Sequence, residues 1–323
     1  MRIEIDNLAP RRDTDGRVID AHGGAWFNWF EDRWYSYGVS YGETDGYSPD
    51  IDLVCYTSRD LVNWKNRGTI WDGAQRRGMH LRPHVAWHGA TAKYVMWFLF
   101  YEKFQRPGPQ KVGHNLCIKG VAEADQPAGP FTPIRYGVPL SCELSGDHDL
   151  FIDDDGAAYL AHSHHDFSGE KGKATIRVER LNDDYRSSST QHVVIPSDGI
   201  PCEAPALFKR GGVYYCLFDQ WTDRMKWGSG VRVHTAPHPL GPWTYRGNAN
   251  RNQHGEFIVW SQQHTVAPIR TATGTEYLWA GDRWRTTEFL GTDFQYWHRL
   301  EFEEDGNVRP FAFTERWSLE LEL

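Results

Sequence analysis

Apolar and polar positions along the chain fall into one pattern repeated five times. Each copy has a short apolar run centred on a tyrosine: EDRWYSYG at Tyr35, TAKYVMWF at Tyr94, DGAAYLAH at Tyr159, GGVYYCLF at Tyr215 and TGTEYLWA at Tyr277. A turn-rich stretch opens every run, as a hairpin requires. A second strand-like segment follows, with a polar or Pro/Gly turn that ends on a bulky ring at Trp64, Phe131, Tyr185, Trp243 and Trp297. Those rings are expected to pack between neighbouring units. Stacked units of roughly 60 residues bury a face only against their neighbours, which is the logic of propeller blades. The pattern predicts an all-β chain, a five-bladed β-propeller, with residues 1–323 as its single domain. The terminal FAFTERWSLELEL reads as a strand that closes the ring by joining the first blade, which hides a sheet edge.

In a propeller the first strand of each blade lines the central channel, and its entry end opens on the ligand face. Counting twelve positions back from each tyrosine gives Gly23, Arg82, Asp147, Glu203 and Thr265, with His22 and His264 just before the two uncharged ones. An Arg, an Asp, a Glu and two flanking His are thereby drawn to one axis. Unpaired buried ions cost on the order of several kcal/mol each, so such a gathering points to a site. Glu203 follows Pro201 and Cys202 and leads into an apolar strand, where desolvation favours a protonated carboxyl and suits a general acid. A structural ion pair with Arg82 is the alternative; the equivalent placement of Asp147 favours catalysis.

Composition narrows the partners. Aromatic residues make up 14% of the chain, suited to sheet packing or to stacking on sugar rings. A net charge of −8 with no basic stripe argues against nucleic acid and anionic membranes. The N-terminal MRIEIDNLAPRRDTDG lacks the apolar run of a signal peptide, and no stretch approaches a membrane span, so the expected address is cytoplasmic, or secreted with a leader removed. Five cysteines without C-x-x-C spacing fit neither a disulfide framework nor a zinc site. The acidic cluster Asp149, Asp153, Asp154 and Asp155 lacks calcium-loop spacing, and residues 153–156 read as a hairpin turn. His162, His164 and His165 have no carboxylate or thiolate at ligand spacing, and the latter two read as loop residues. No metal and no cofactor is therefore expected, and nothing points to calcium in the channel. Polar insertions beginning near Gln75, Lys103 and His162 are expected to be loops around the binding mouth.

Several motifs occur together: AHGG at Ala21, YGE at Tyr41, SRDLVNW at Ser58, RPHV at Arg82, GVAEADQPAGPF at Gly120, GDHDLFIDDDG around Asp147, EAPALFKRGGVYY at Glu203, SQQHTVAPI at Ser261, GDRW at Gly281 and ERWSLEL near the end. Over essentially its whole length the chain resembles glycoside hydrolase family 43, the five-bladed propeller glycosidases, and most of all the branch with exo-β-1,3-galactanases. The resemblance implies an inverting hydrolase with a base Asp on the first blade, an Asp on the third that tunes the acid, and a Glu acid on the fourth. Asp147 and Glu203 match the last two. The base position is Gly23 here; in the galactanase branch that carboxylate is also missing and a fifth-blade Gln acts instead, for which Gln262 fits best, with Gln263 adjacent. Asp20, just before AHGG, either restores a carboxylate base or caps the strand entry. His22, Glu43, Arg82, His264, Asp282, Arg283 and Trp284 are expected to hold the sugar, with Trp221 and Trp227 stacking on it. The implied activity is exo-acting release of galactose from β-1,3-galactan or related oligo- and polysaccharides. An α-L-arabinofuranosidase, β-xylosidase or β-galactofuranosidase, or a non-catalytic sugar-binding propeller, are the rival readings.

Overall fold

The computed structural model describes residues 1–71, 78–104, 117–165, 174–220 and 229–322. Blade one comprises β2 (Asn28–Phe30), β3 (Arg33–Ser40), β4 (Asp52–Ser58) and β5 (Lys65–Thr69). Blade two is β6 (Met79–His88), β7 (Lys93–Tyr101), β8 (Ile118–Ala124) and β9 (Thr132–Tyr136). Blade three is β10 (Ser145–Ile152), β11 (Ala158–His165), β12 (Ala174–Leu181) and β13 (Ser188–Ile195). Blade four is β14 (Cys202–Arg210), β15 (Val213–Gln220), β16 (Gly230–Ala236) and β17 (Thr244–Asn248). Blade five has three strands, β18 (Gln262–Thr271), β19 (Gly274–Arg283) and β20 (Phe294–Arg299). The five tyrosine runs are the second strands, as the pattern predicts. β11 extends through His164 and His165, so both lie on a strand and not in the loop expected from sequence.

The twelve-residue count is only approximate, because the hairpins differ in length. Tyr35, Tyr94 and Tyr215 face residues seven positions earlier, Tyr159 faces Phe151 eight earlier, and Tyr277 faces Pro268 nine earlier. In blade five the count therefore falls short: it stops at Thr265, which pairs with Ala280, whereas Gln263, nearer the entry end, pairs with Gly281 as Glu203 pairs with Asp219 in blade four.

Aromatic rings seal the blades to one another. Trp26 stands 5.3 Å from both Trp64 and Trp297, edge-on, and joins blade one to blade five. Phe131 and Tyr185 are buried likewise, whereas Trp243 is half-buried. The ends close the ring differently from the sequence expectation. β21 (Arg316–Glu320) pairs with β1 (Arg2–Asp6) in a separate two-stranded sheet, and does not join blade one. Blade five lacks a fourth strand, and the Asn7 side chain supplies part of its edge: it accepts from Trp297 N and donates to Trp297 O, both at 3.0 Å. A short amide thus satisfies a strand edge that backbone would otherwise have to cover.

Candidate active site

The inner strands of blades two to five break register near the same end of the channel. The bulges fall between Leu81 and His84, Ser145 and His148, Glu203 and Ala206, and Gln263 and Thr265. A bulge re-aims side chains and bends the strand away from regular pairing. Arg82 and Ala204 adopt φ of 54° and 51°, and Gly23 of the first blade 59°. Positive φ at a bulky Arg is strained, and here it turns the guanidinium toward the mouth.

Arg82 Nη2 lies 2.5 Å from Asp147 Oδ2. Burial opposes the guanidinium charge, but Asp147 and Glu203 more than offset it and its pKa is raised. Glu203 N donates to Asp219 Oδ1 at 2.7 Å, which ties the start of β14 to β15. Gln262 Nε2 donates to Glu203 Oε1 at 2.8 Å, and Gln262 Oε1 accepts from Trp284 Nε1 at 2.7 Å. An indole N–H can only donate, so the amide oxygen must face Trp284 and its nitrogen Glu203. Gln263 is oriented the same way by Trp279, and spends its donors on the carbonyls of Ala204 and Leu217. Its place is structural. An open cleft with a cavity volume of about 110 Å³ is lined by Gly23, Tyr41, Tyr47, Arg82, Asp147, Gln262 and Trp284, among others.

The first-blade side is built around two carboxylates. Asp282, 1% exposed, accepts from Gly23 N at 2.7 Å and His22 Nδ1 at 3.0 Å. Burial would raise its pKa, but His264 and His22 hold it below the usual carboxylate range. Burial lowers and Asp282 raises the His22 pKa, the net direction being upward. Asp282 thus holds the AHGG backbone. Asp20 accepts from Ser40 Oγ at 2.7 Å and from Tyr41 N and Gly42 N at 2.8 Å, so both its oxygens are occupied.

The remaining sequence candidates divide. Trp284 lines the cleft and packs on His22 at 5.4 Å. Arg283, the last residue of β19, points over Phe294 and Phe313 at 5.3 and 5.8 Å. Alternation along β19 sets it opposite to its strand neighbour Asp282. Glu43 is exposed in its loop, and from the same loop Asp45 lines the cleft instead. His264, 1% exposed, lies 3.8 Å from Asp282 and is pushed down to about 4 by burial. Trp221 and Trp227 lie outside the described residues. Residues 153–156 form the expected turn, with Gly156 N donating to Asp153 O. Among the described residues no three His, Cys, Asp or Glu side chains are placed to hold a metal.

Sequence reasoning missed Asp219 and the buried Lys119 behind Asp147. A lysine inside the apolar run around Gly120 was the available signal, because a charge at an inward strand position needs a partner.

Comparison with known proteins bears on the fold and the family. The chain is similar to a family 43 β-1,3-galactosidase solved with galactodeoxynojirimycin, at 26% identity and a TM-score of 0.80 over 97% of this chain and 99% of that one. It is similar to an exo-β-1,3-galactanase from Clostridium thermocellum, at 25% identity and a TM-score of 0.77 over 95% of this chain and 64% of that one. An arabinoxylan arabinofuranohydrolase from Paenibacillus polymyxa is 26% identical over 64% of this chain and 35% of its own length. The chain spans 35 to 62% of the length of the curated relatives it matches. Residues 30–298 match the model for glycosyl hydrolases family 43, and the chain belongs to that family.

Proposed function

We propose that the chain is an exo-acting, inverting glycoside hydrolase that releases galactose from β-1,3-galactan or related β-galactosides. The observation that carries the chemistry is Glu203 and the Arg82–Asp147 pair converging at one mouth, with Gln262 clamped by Trp284 against the carboxyl. Galactoside specificity rests on the structural likeness, and on Gly23 standing where other family members carry a carboxylate.

Glu203 gives its proton to the leaving oxygen while water attacks the anomeric carbon from the opposite face. Asp147 keeps a negative charge near the acid, and Arg82 fixes its direction. Inverting pairs stand roughly 6.5–9.5 Å apart, whereas Gln262 touches Glu203 at 2.8 Å. A base would stand across the sugar from the acid, whereas the Gln262 amide lies against Glu203 in this structure. As base it must swing off Glu203 when the sugar enters. Asp20 is the poorer candidate, because Ser40, Tyr41 and Gly42 already occupy its oxygens.

The arabinofuranohydrolase relative supports a second reading, an α-L-arabinofuranosidase. Nitrophenyl glycosides and β-1,3-galacto-oligosaccharides, followed by proton NMR of the first-formed anomer, separate the two. Release of α-galactose from the galacto-oligosaccharides is expected. Arabinoside turnover alone would replace galactose by arabinose, and binding without turnover would favour a lectin-like propeller.

A further inference from the structure

Asp147 occupies a bulge, and a bulge leaves backbone groups without their ladder partners. Pairing between β10 and β11 skips from Ser145 to His148. The carbonyls of Ser145 and Gly146, just before Asp147, are met by Lys119 of β8. Lys119 is 1% exposed. Cys117 Sγ adds a contact of 3.2 Å to Ser145 O.

The Ser145 hydroxyl is held from the other side. Its Oγ lies 2.9 Å from His162 Nδ1, and His162 Nε2 lies 3.0 Å from Glu179 Oε1. Glu179 also accepts from Ser141 N and Ser188 Oγ, each at 2.6 Å. A carboxylate can only accept, so Nε2 carries the hydrogen and Nδ1 accepts from Ser145. The order Ser–His–Glu resembles a nucleophilic triad, but Ser145, His162 and Glu179 are 2%, 0% and 0% exposed. No substrate reaches them. What the chain does touch is the backbone that carries Asp147.

We propose that Lys119 and the Ser145–His162–Glu179 chain are positioning residues that fix the aim of Asp147 from behind. Asp147 then meets Arg82 and the acid with no freedom to retreat into the bulge. Burying an ammonium and a carboxylate under one strand end is costly, and plain packing would avoid both. Their joint convergence on Ser145 and Gly146 is what separates this brace from an ordinary core contact. The inference rests on the reading that Asp147 tunes Glu203.

The test compares Lys119→Met and Ser145→Ala with Asp147→Asn in the full chain. Each is assayed on the natural disaccharide the enzyme hydrolyses and on the matching 2,4-dinitrophenyl glycoside, whose leaving group needs no proton. Lys119→Met is expected to lower kcat on the disaccharide about tenfold or more, with KM and the dinitrophenyl rate within about threefold, as loss of acid assistance predicts. Ser145→Ala should move the same ratio about threefold. Equal losses on both substrates, or none, would overturn the brace. If Lys119→Met does not fold, Ser145→Ala decides: an unchanged ratio overturns the proposal. Wild-type rates in Asp147→Asn would instead sink the underlying role of Asp147; a shifted ratio there, with neither brace variant following, would sink the brace alone.

Discussion

The amide nitrogen of Gln262 stands 2.8 Å from Oε1 of Glu203, while its oxygen takes the indole N–H of Trp284 at 2.7 Å. One side chain therefore links the fifth blade to the proposed acid on the fourth. Because the amide donates to Oε1, a protonated Glu203 carries its hydrogen on the other oxygen. Under the proposed mechanism, this amide leaves Oε2 as the oxygen from which the proton would be delivered.

Glu203→Gln keeps the volume and removes the transferable proton. Hydrolysis of substrates with poor leaving groups should fall about a hundredfold or more, with an unchanged melting temperature. An active Glu203→Gln enzyme on a natural disaccharide would move the acid elsewhere.

Trp284→Phe keeps most of the ring and deletes the N–H that orients Gln262. An unpaired buried polar group costs about 1–3 kcal/mol, so kcat should drop between roughly fivefold and a hundredfold, and KM far less. Loss in KM alone would show that Trp284 serves only as a wall for the sugar.

The five blades were legible because the tyrosine strands and turn chemistry repeat, and repetition survives small errors of alignment. The polar contacts were not. Asp282 and Arg283 look alike as candidates in GDRW, yet strand alternation sends one to the Gly23 backbone and the other to Phe294. Asp20 is a free carboxylate in sequence, and only folding brings the amides of Tyr41 and Gly42 onto it. The distance between each tyrosine and the residue it faces varies from blade to blade, and that variation defeats the count at Thr265, because Tyr277 faces Pro268 nine positions earlier and an apolar run does not show where its partner begins. Lys119 stayed hidden since its partners are carbonyls, which every residue carries.

Asp20→Asn tests whether that carboxylate is structural. The amide offers one accepting oxygen, and its nitrogen would face donors from Ser40 and Gly42 or from Tyr41. A loss of roughly 1–3 kcal/mol in unfolding free energy is expected, with kcat of the folded enzyme within about threefold. A hundredfold loss of kcat with unchanged stability would instead make Asp20 the base.

Acid should weaken the fold through buried neutral histidines. Burial pushes His264 and His234 down to about 4, against an ordinary value near 6.5. Below about pH 6.5 the unfolded chain takes up protons at these two positions that the folded chain refuses, so stability falls as pH drops toward 4. His22 acts in the opposite sense: with its pKa raised, its contribution is complete below about 6.5 and is lost as pH climbs through the folded value. Stability should therefore peak near pH 6.5. His234 stacks on Phe218 at 4.7 Å, so His234→Phe preserves an aromatic contact and removes one titrating group. Calorimetric unfolding between pH 4.5 and 6 should show an acid slope shallower by up to roughly 1.4 kcal/mol per pH unit in that variant. An unchanged slope would mean that His234 is protonated inside the folded blade, and that carboxylates govern acid unfolding.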